Sequence, residues 1–162
     1  RIYLPRTVFS LSALGTGLVN WLLALVPLAL LMLVTRQPFR PALLFLPVAV
    51  LLTALFALGV SLLLSTIAVY FADVRDMYMV ALTAWMYLTP VFYPKDILPP
   101  NLLWYMNLNP MFNLLELFRV PIYSGVLPGP HTIIAAAVSA LVMLVAGWWA
   151  FTAKADDFGY RL

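Results

Sequence analysis

Four long stretches of this chain contain no Lys, Arg, Asp or Glu, and they define its architecture. They cover residues 7–35, 42–72, 77–94 and 131–153. A helix needs about 20 apolar residues to cross a hydrocarbon core roughly 30 Å thick, and it satisfies its own backbone hydrogen bonds there. The pattern predicts an all-α polytopic membrane protein, a single transmembrane domain over residues 1–162, with four transmembrane helices at about residues 11–34, 42–70, 77–93 and 132–151.

The segment 95–129 is apolar but too interrupted to form one more span. It is cut into short pieces by Pro99, Pro100, Pro110, Pro121 and Pro128. Apolar segments of about 10–14 residues are more often re-entrant or interfacial than spanning. We therefore expect a re-entrant helical hairpin before the last span, with two short helices that dip into one leaflet and are joined near residues 107–110. Glu116 and Arg119 are three residues apart and are expected to pair on one helix face.

Small residues recur every four positions along the second span. They are Thr53, Ala57, Ser61 and Ser65. Small side chains let helix backbones approach closely in lipid, so tight packing against another helix is the preferred interpretation of this face. A polar lining for a transport pathway is the alternative.

The polar break before the third span contains Asp73, Arg75 and Asp76. Asp73 and Asp76 are three residues apart and are expected to form a capping box at the start of the next helix. This structural role is preferred over catalysis, because acid–base carboxylates usually lie in an enclosed site. These two lie in a loop beside a compensating Arg75.

Aromatic residues mark the third span. Tyr78, Trp85 and Phe92 are seven positions apart, so they share one face if the helix continues that far. Two interpretations stay open for this face. It is either a packing stripe or membrane-interface anchor, or an aromatic surface that contacts a transported molecule.

Composition excludes several classes of protein. Hydrophobic residues make up 65% of the chain and charged residues 9%, whereas soluble domains carry about 25% charged residues. There is no Cys, no GxxxxGK[ST] phosphate loop, and no HExxH or GxSxG motif. Six acidic residues leave little for catalysis, and the nine basic residues form no cluster suited to nucleic acid. We therefore expect a conduit or assembly subunit without catalytic residues, metal or cofactor.

Four sequence motifs suggest a family. They are Tyr3-Leu4-Pro5-Arg6, the loop from Tyr70 to Asp76, Leu88-Thr89-Pro90-Val91-Phe92-Tyr93-Pro94, and Asn109-Pro110 with Glu116-x-x-Arg119. Together, and in this order, they resemble the permeases of type-2 ABC exporters, in the branch that exports polysaccharides and polyol phosphates. The loop departs from the family pattern at Ala72, where that pattern often has Arg. The resemblance covers nearly the whole chain.

The resemblance implies the rest of the assembly. It implies a six-span subunit of which this chain, beginning at Arg1 rather than Met, holds the last four. It also implies a homodimer in the cell inner membrane, bound to two cytoplasmic ATP-binding cassette subunits that hydrolyse ATP. The substrate would be a lipid-linked glycan such as O-antigen, capsule or teichoic acid, and Arg1 and Leu162 would both be cytoplasmic. A drug or small-lipid exporter of the same fold is the alternative, followed by an assembly subunit or a glycan-transferring enzyme.

The resemblance also assigns roles to individual residues. Contact with the ATP-binding partner falls to Arg1, Tyr3, Pro5, Arg6, Asp73, Arg75 and Asp76. The translocation path would be lined by Tyr78, Trp85 and Phe92. The external gate would contain Thr89, Pro90, Tyr93, Pro94, Asn109, Pro110, Glu116 and Arg119.

Overall fold

The computed structural model describes residues 7–34, 40–71, 73–93, 97 and 99–154. Within these ranges every regular element is helical, which confirms the predicted all-α class. A short 3₁₀ helix spans Pro41–Phe45, and a π-helical turn spans Val120–Ser124. The α-helices are α1 (Thr7–Val34), α2 (Leu46–Tyr70), α3 (Val74–Leu88), α4 (Pro100–Leu108), α5 (Pro110–Arg119) and α6 (Pro130–Ala153).

Three helical segments of the described chain are long and apolar enough to cross a membrane. They are Gly15–Val34, Pro41–Tyr70 and Pro130–Ala153. The third predicted span is shorter, because α3 has 15 residues and a rise of about 1.5 Å per residue gives it a length of roughly 22 Å. The polytopic class is confirmed, whereas the count of four spans stays a prediction.

The contact between α2 and α6 organises the bundle, and it is made through glycine. A Cβ atom added to Gly59 would overlap the backbone of Met143, and one added to Gly147 would overlap the carbonyl of Gly59. Backbones approach this closely only where a side chain is missing, which is how helices gain packing energy in lipid. This face of α2, rather than the one carrying Ser61, packs on α6.

Helices α2 and α6 run in the same direction. Arg40, just before α2, donates to the carbonyl of Ser124, which lies shortly before α6. At the other end, the Lys154 ammonium lies 5.9 Å from the centre of the Tyr70 ring. The chain must therefore return from the end of α2 to the start of α6. Helix α3 runs antiparallel to α2 along this return path, since Phe56 of α2 contacts Trp85 of α3.

Two short helices occupy the proline-rich segment, as predicted. Pro100 and Pro110 each stand in the first turn of a helix, where a missing N–H group removes no intrahelical bond. Asn109 separates the two helices within the predicted joint at residues 107–110. We call α4 and α5 together the hairpin; its re-entrant placement in a bilayer stays a prediction.

The hairpin is anchored in the core by α5. Leu114 and Leu117 are almost fully buried in a cluster formed with α2 and α6. The other members of this cluster are Ala49, Phe56, Ala136 and Ala140. Packing on two long helices therefore fixes α5, and α5 in turn positions the polar residues described below.

We predict that Gly147→Ala separates α2 from α6. The new methyl group meets backbone rather than a flexible side chain, so the free energy of unfolding should fall by about 1–3 kcal/mol, as for other overpacked sites. The measurement is thermal unfolding in detergent. Gly17→Ala is the matched control, because nothing lies within 4 Å of a Cβ at that position. Equal melting temperatures for the two variants would contradict the proposed role of the glycine contact.

Candidate functional site

A groove separates α2 from α3. Its volume is about 630 Å³, and it is open on one side. Aliphatic and aromatic side chains dominate its lining, which includes Phe56, Val60, Leu64, Tyr78, Leu82, Trp85, Met86 and Met111. We call this cavity the α2–α3 groove.

The small-residue face of α2 lines this groove. Thr53, Ala57, Ser61 and Ser65 all border it, so the expectation that this face packs tightly on another helix is wrong for the described helices. The Thr53 hydroxyl donates to the Ala49 carbonyl at 2.8 Å, and Ser65 donates to the Leu62 carbonyl at 2.9 Å. Because these hydroxyl protons are used within the helix, the face offers its neighbours mainly apolar atoms.

The predicted aromatic stripe is correct for two of its three members. Tyr78 and Trp85 both line the groove. Phe92 does not continue the stripe, because α3 ends at Leu88 and Phe92 is 74% exposed beyond it. The physical reason is Pro90, which excludes helical backbone at the preceding residue, and Thr89 accordingly has an extended ψ of 131°.

Trp85 joins the groove to the hairpin. Its ring meets Phe56 edge to face, with ring centroids 6.4 Å apart. Its indole N–H donates to the Asn109 side-chain oxygen at 3.0 Å. Trp85 therefore packs, lines the groove and hydrogen-bonds at once, so the packing and pathway interpretations do not exclude each other here.

Asn109 is the centre of a polar cluster between α3 and the hairpin. Its side-chain oxygen also accepts from the Met111 backbone N–H at 3.1 Å, which caps the start of α5. Its amide group donates to the Thr89 hydroxyl at 3.0 Å. Thr89 is 2% exposed, so this bond satisfies a group that water does not reach.

Arg119 makes a second connection between the hairpin and the end of α3. Its guanidinium donates to the Pro90 carbonyl at 2.6 Å. It also lies 3.6 Å from the carboxylate of Glu116, as the spacing of three residues predicted. Glu116 is 5% exposed, and a buried carboxylate requires such a partner.

The structure thus brings together most of the predicted gate residues. Thr89, Pro90, Asn109, Glu116 and Arg119 all take part in the contacts at this junction. Pro110 contributes the first turn of α5. Tyr93 lies beside them in the chain and donates to the carbonyl of Tyr87 at 3.1 Å. Pro94 lies outside the described residues.

Two polar residues near the hairpin, Asn113 and Arg40, make contacts that were not identified from the sequence. Asn113 donates to the carbonyls of Asn107 and Asn109 at 2.8 and 3.2 Å, which closes the hairpin. The repeat of Asn at positions 109 and 113 was the available signal. Arg40 binds Ser124 and packs over Gly125, whose φ of +64° suits glycine. No local pattern connects residues 84 positions apart.

The predicted contact region for an ATP-binding partner lies at the other end of α3. Asp73 and Asp76 are exposed there, and Arg75 belongs to the first turn of α3. The capping-box expectation is wrong, because Asp73 has helical backbone angles and its side chain makes no capping bond. Its carbonyl instead accepts the Met77 N–H at 3.1 Å. The remaining predicted contacts, Arg1, Tyr3, Pro5 and Arg6, lie outside the described residues.

Across the described ranges, no group of three or more His, Cys, Asp or Glu side chains is placed to hold an ion. What the site offers is an apolar groove, the three aromatic rings of Phe56, Tyr78 and Trp85 that line it, and a polar junction that connects three helices.

The sequence matches a known family. Residues 1–123 fit the family model of the ABC-2 type transporter. This match covers more than half of the chain, so the chain belongs to that family. The finding confirms the family that the four sequence motifs predicted.

Two curated relatives are similar to this chain along much of its length. The O-antigen export system permease protein RfbA of Myxococcus xanthus is 31% identical over 164 aligned residues, covering 98% of this chain and 62% of that protein. A protein of the same name from Klebsiella pneumoniae is 26% identical over 124 residues, covering 76% of this chain and 48% of that protein. The chain therefore spans 62% and 48% of the lengths of these two curated relatives.

We predict that Asn109→Ala destabilises the protein by about 2–3 kcal/mol, because it removes a helix cap and two further hydrogen bonds. Asn107→Ala is the matched control, since Asn107 contributes only its carbonyl to the bonds described here. Thermal unfolding in detergent gives both values.

The same measurement can isolate the bond between Trp85 and Asn109. Trp85→Phe keeps a ring beside Phe56 and removes the indole N–H. The double variant, Trp85→Phe with Asn109→Ala, should lose less free energy of unfolding than the sum of the losses of the two single variants, because both changes delete the same bond. Strictly additive losses would show that this bond contributes nothing.

Proposed function

We propose that this chain forms the membrane-spanning part of a permease subunit in an ATP-driven exporter of a lipid-linked polysaccharide, working in the cell inner membrane. The observation that carries the proposal is similarity over 98% of the chain to a protein named as an O-antigen export permease. Membership of the ABC-2 type transporter family and three membrane-length helices support the same function.

The energy source lies outside this chain. The sequence has no phosphate-binding loop, so a cytoplasmic ATP-binding cassette subunit supplies the hydrolysis. Asp73, Arg75 and Asp76 are the contact region for that partner, together with Arg1, Tyr3, Pro5 and Arg6. The exporter is a homodimer of the permease with two ATP-binding subunits.

The α2–α3 groove is the part of the translocation path that this chain contributes. Its apolar lining fits the hydrocarbon of a lipid-linked substrate, while the faces of Tyr78 and Trp85 can stack on sugar rings. Such contacts carry no fixed hydrogen-bond pattern, which suits a polymer that slides past them. A small-lipid or drug exporter of the same fold is the second candidate, because the apolar lining suits its substrates as well.

The path is tested at Tyr78 in the full-length permease with its partner. Tyr78→Ala should reduce surface glycan at least fivefold and accumulate lipid-linked glycan inside the cell, whereas Tyr78→Phe should keep most of the export. Tyr87→Ala is the matched control, since Tyr87 lies on the same helix, is 65% exposed and does not line the groove. Normal glycan export by a strain that lacks the permease would overturn the proposed function and favour the small-lipid alternative.

Partner contact is tested at Arg75. Arg75→Glu should reduce co-purification of the ATP-binding subunit with the full-length permease, because it reverses a charge between the exposed Asp73 and Asp76 at the start of α3. Lys154→Gln, which changes a basic residue at the same end of the bundle, is the control. Unchanged co-purification and export in the Arg75 variant would remove this region from the partner interface.

A further inference from the structure

We infer that Asn109 is a positioning residue, which holds the indole ring of Trp85 at a fixed orientation in the α2–α3 groove. The inference deepens the proposed function and rests on it for the nature of the substrate. A ring that is fixed before the substrate arrives gives a sugar ring a ready surface on which to stack. Asn109 does not line the groove, so it acts through Trp85.

Two contacts constrain the indole ring. Its N–H group donates to the side-chain oxygen of Asn109 at 3.0 Å. Phe56 of α2 meets the ring edge to face, with an angle of 71° between the two ring planes. Rotation of the ring would break the hydrogen bond and leave the N–H group unpaired beside a mainly apolar groove, which is costly. Trp85 also lines the groove, so part of the constrained ring stays available to a substrate.

The side chain of Asn109 cannot turn over without losing its bonds. Its oxygen accepts from both the Trp85 indole N–H and the Met111 backbone N–H. These two groups can only donate, so the oxygen rather than the amide nitrogen has to face them. The amide nitrogen then donates to the hydroxyl of Thr89 at 3.0 Å, and Thr89 is 2% exposed. Three bonds therefore favour the one orientation of Asn109 in which Trp85 has its acceptor.

The position of Asn109 is fixed by the core of the bundle. Asn109 stands directly before α5 and caps it. Leu114 and Leu117 of α5 are 1% and 0% exposed, in the cluster shared with α2 and α6. Trp85 belongs to α3, on the far side of the groove from most of α2. The bond to Asn109 therefore connects the ring to the close-packed part of the bundle as well as to its own helix.

This arrangement contributes preorganisation to substrate binding. A side chain that becomes ordered only when a ligand binds lowers the affinity through the conformational entropy that it loses. Asn109 removes this cost for Trp85, because the ring is ordered before the substrate enters. A typical hydrogen bond changes an equilibrium about fivefold, so loss of the bond should weaken this step of export by a similar factor.

Fluorescence anisotropy measures the order of the ring. In the full-length transporter with every other Trp replaced by Phe, Trp85 is the single emitter. Its anisotropy should fall in Asn109→Leu, which has no acceptor for the indole N–H, and should stay high in Asn109→Asp, whose carboxylate accepts from both N–H groups. Asn107→Leu is the matched control, because Asn107 is exposed and contributes only its carbonyl to the bonds described. Unchanged anisotropy in Asn109→Leu would overturn the inference.

Glycan export by the full-length transporter, measured per folded complex in the otherwise unchanged sequence, tests what the fixed ring does. Asn109→Leu and Trp85→Phe should each lower export about fivefold, whereas Asn109→Asp and Asn107→Leu should keep most of it. Adding Asn109→Leu to Trp85→Phe should cause no further loss, because Asn109 acts through the indole N–H that Phe lacks. A further loss in the double variant, or a loss in Asn109→Asp with its anisotropy unchanged, would overturn the inference.

The two failures can be told apart. If the wild-type transporter moves no glycan, the proposed function is wrong, and the anisotropy of Trp85 still decides whether Asn109 holds the ring. If the wild type exports glycan and Asn109→Leu exports as much as the Asn107→Leu control, the bond plays only a structural part and the inference is wrong.

Discussion

Polar groups that this chain brings into apolar surroundings have to find their partners inside the protein, because lipid offers none. The constraint is acute where helices end, because the N–H groups of a first turn and the carbonyls at a helix end have no partner within the helix. The carbonyl of Pro90 is taken by Arg119, and the start of α5 is capped by Asn109. The hairpin can exist in this environment because the side chains of Asn109 and Arg119 bond to backbone groups that no helix satisfies.

The long helices follow a second principle, because they associate at glycine residues, which have no side chain. Lipid provides no hydrophobic drive for helices to associate, so α2 and α6 depend on close backbone contact at Gly59 and Gly147. Thr53, Ser61 and Ser65 of α2 lie toward the α2–α3 groove instead, and the hydroxyls of Thr53 and Ser65 bond to their own helix. The bundle therefore separates a tightly packed half, containing α2, α5 and α6, from an open half that contains α3.

Local features of the fold were accessible from the sequence, and features that join distant segments were not. Charge-free stretches predicted the long helices, and prolines predicted the two short ones. The spacing of three residues predicted the ion pair between Glu116 and Arg119. Each of these features depends on residues that are close together in the sequence. Two faces of α2 carry small residues, and periodicity could not tell which one packs on α6. The bond between Trp85 and Asn109 was equally hidden, because 24 residues separate its partners. The third span was predicted to reach residue 93, whereas α3 ends at Leu88, so Phe92 does not lie on the helical face on which it was placed.

The parallel arrangement of α2 and α6 has a consequence for the time course of biosynthesis. Arg40 and Ser124 are 84 residues apart in the chain, and Gly59 and Met143 have the same separation. At about 5–20 residues per second, a ribosome needs roughly 4–17 s to make the partner that the glycine face of α2 requires. During that interval α2 is already in the membrane with its closest contact surface facing lipid. The nascent chain is thus most exposed to wrong helix pairing, and to quality-control proteases, just before α6 emerges.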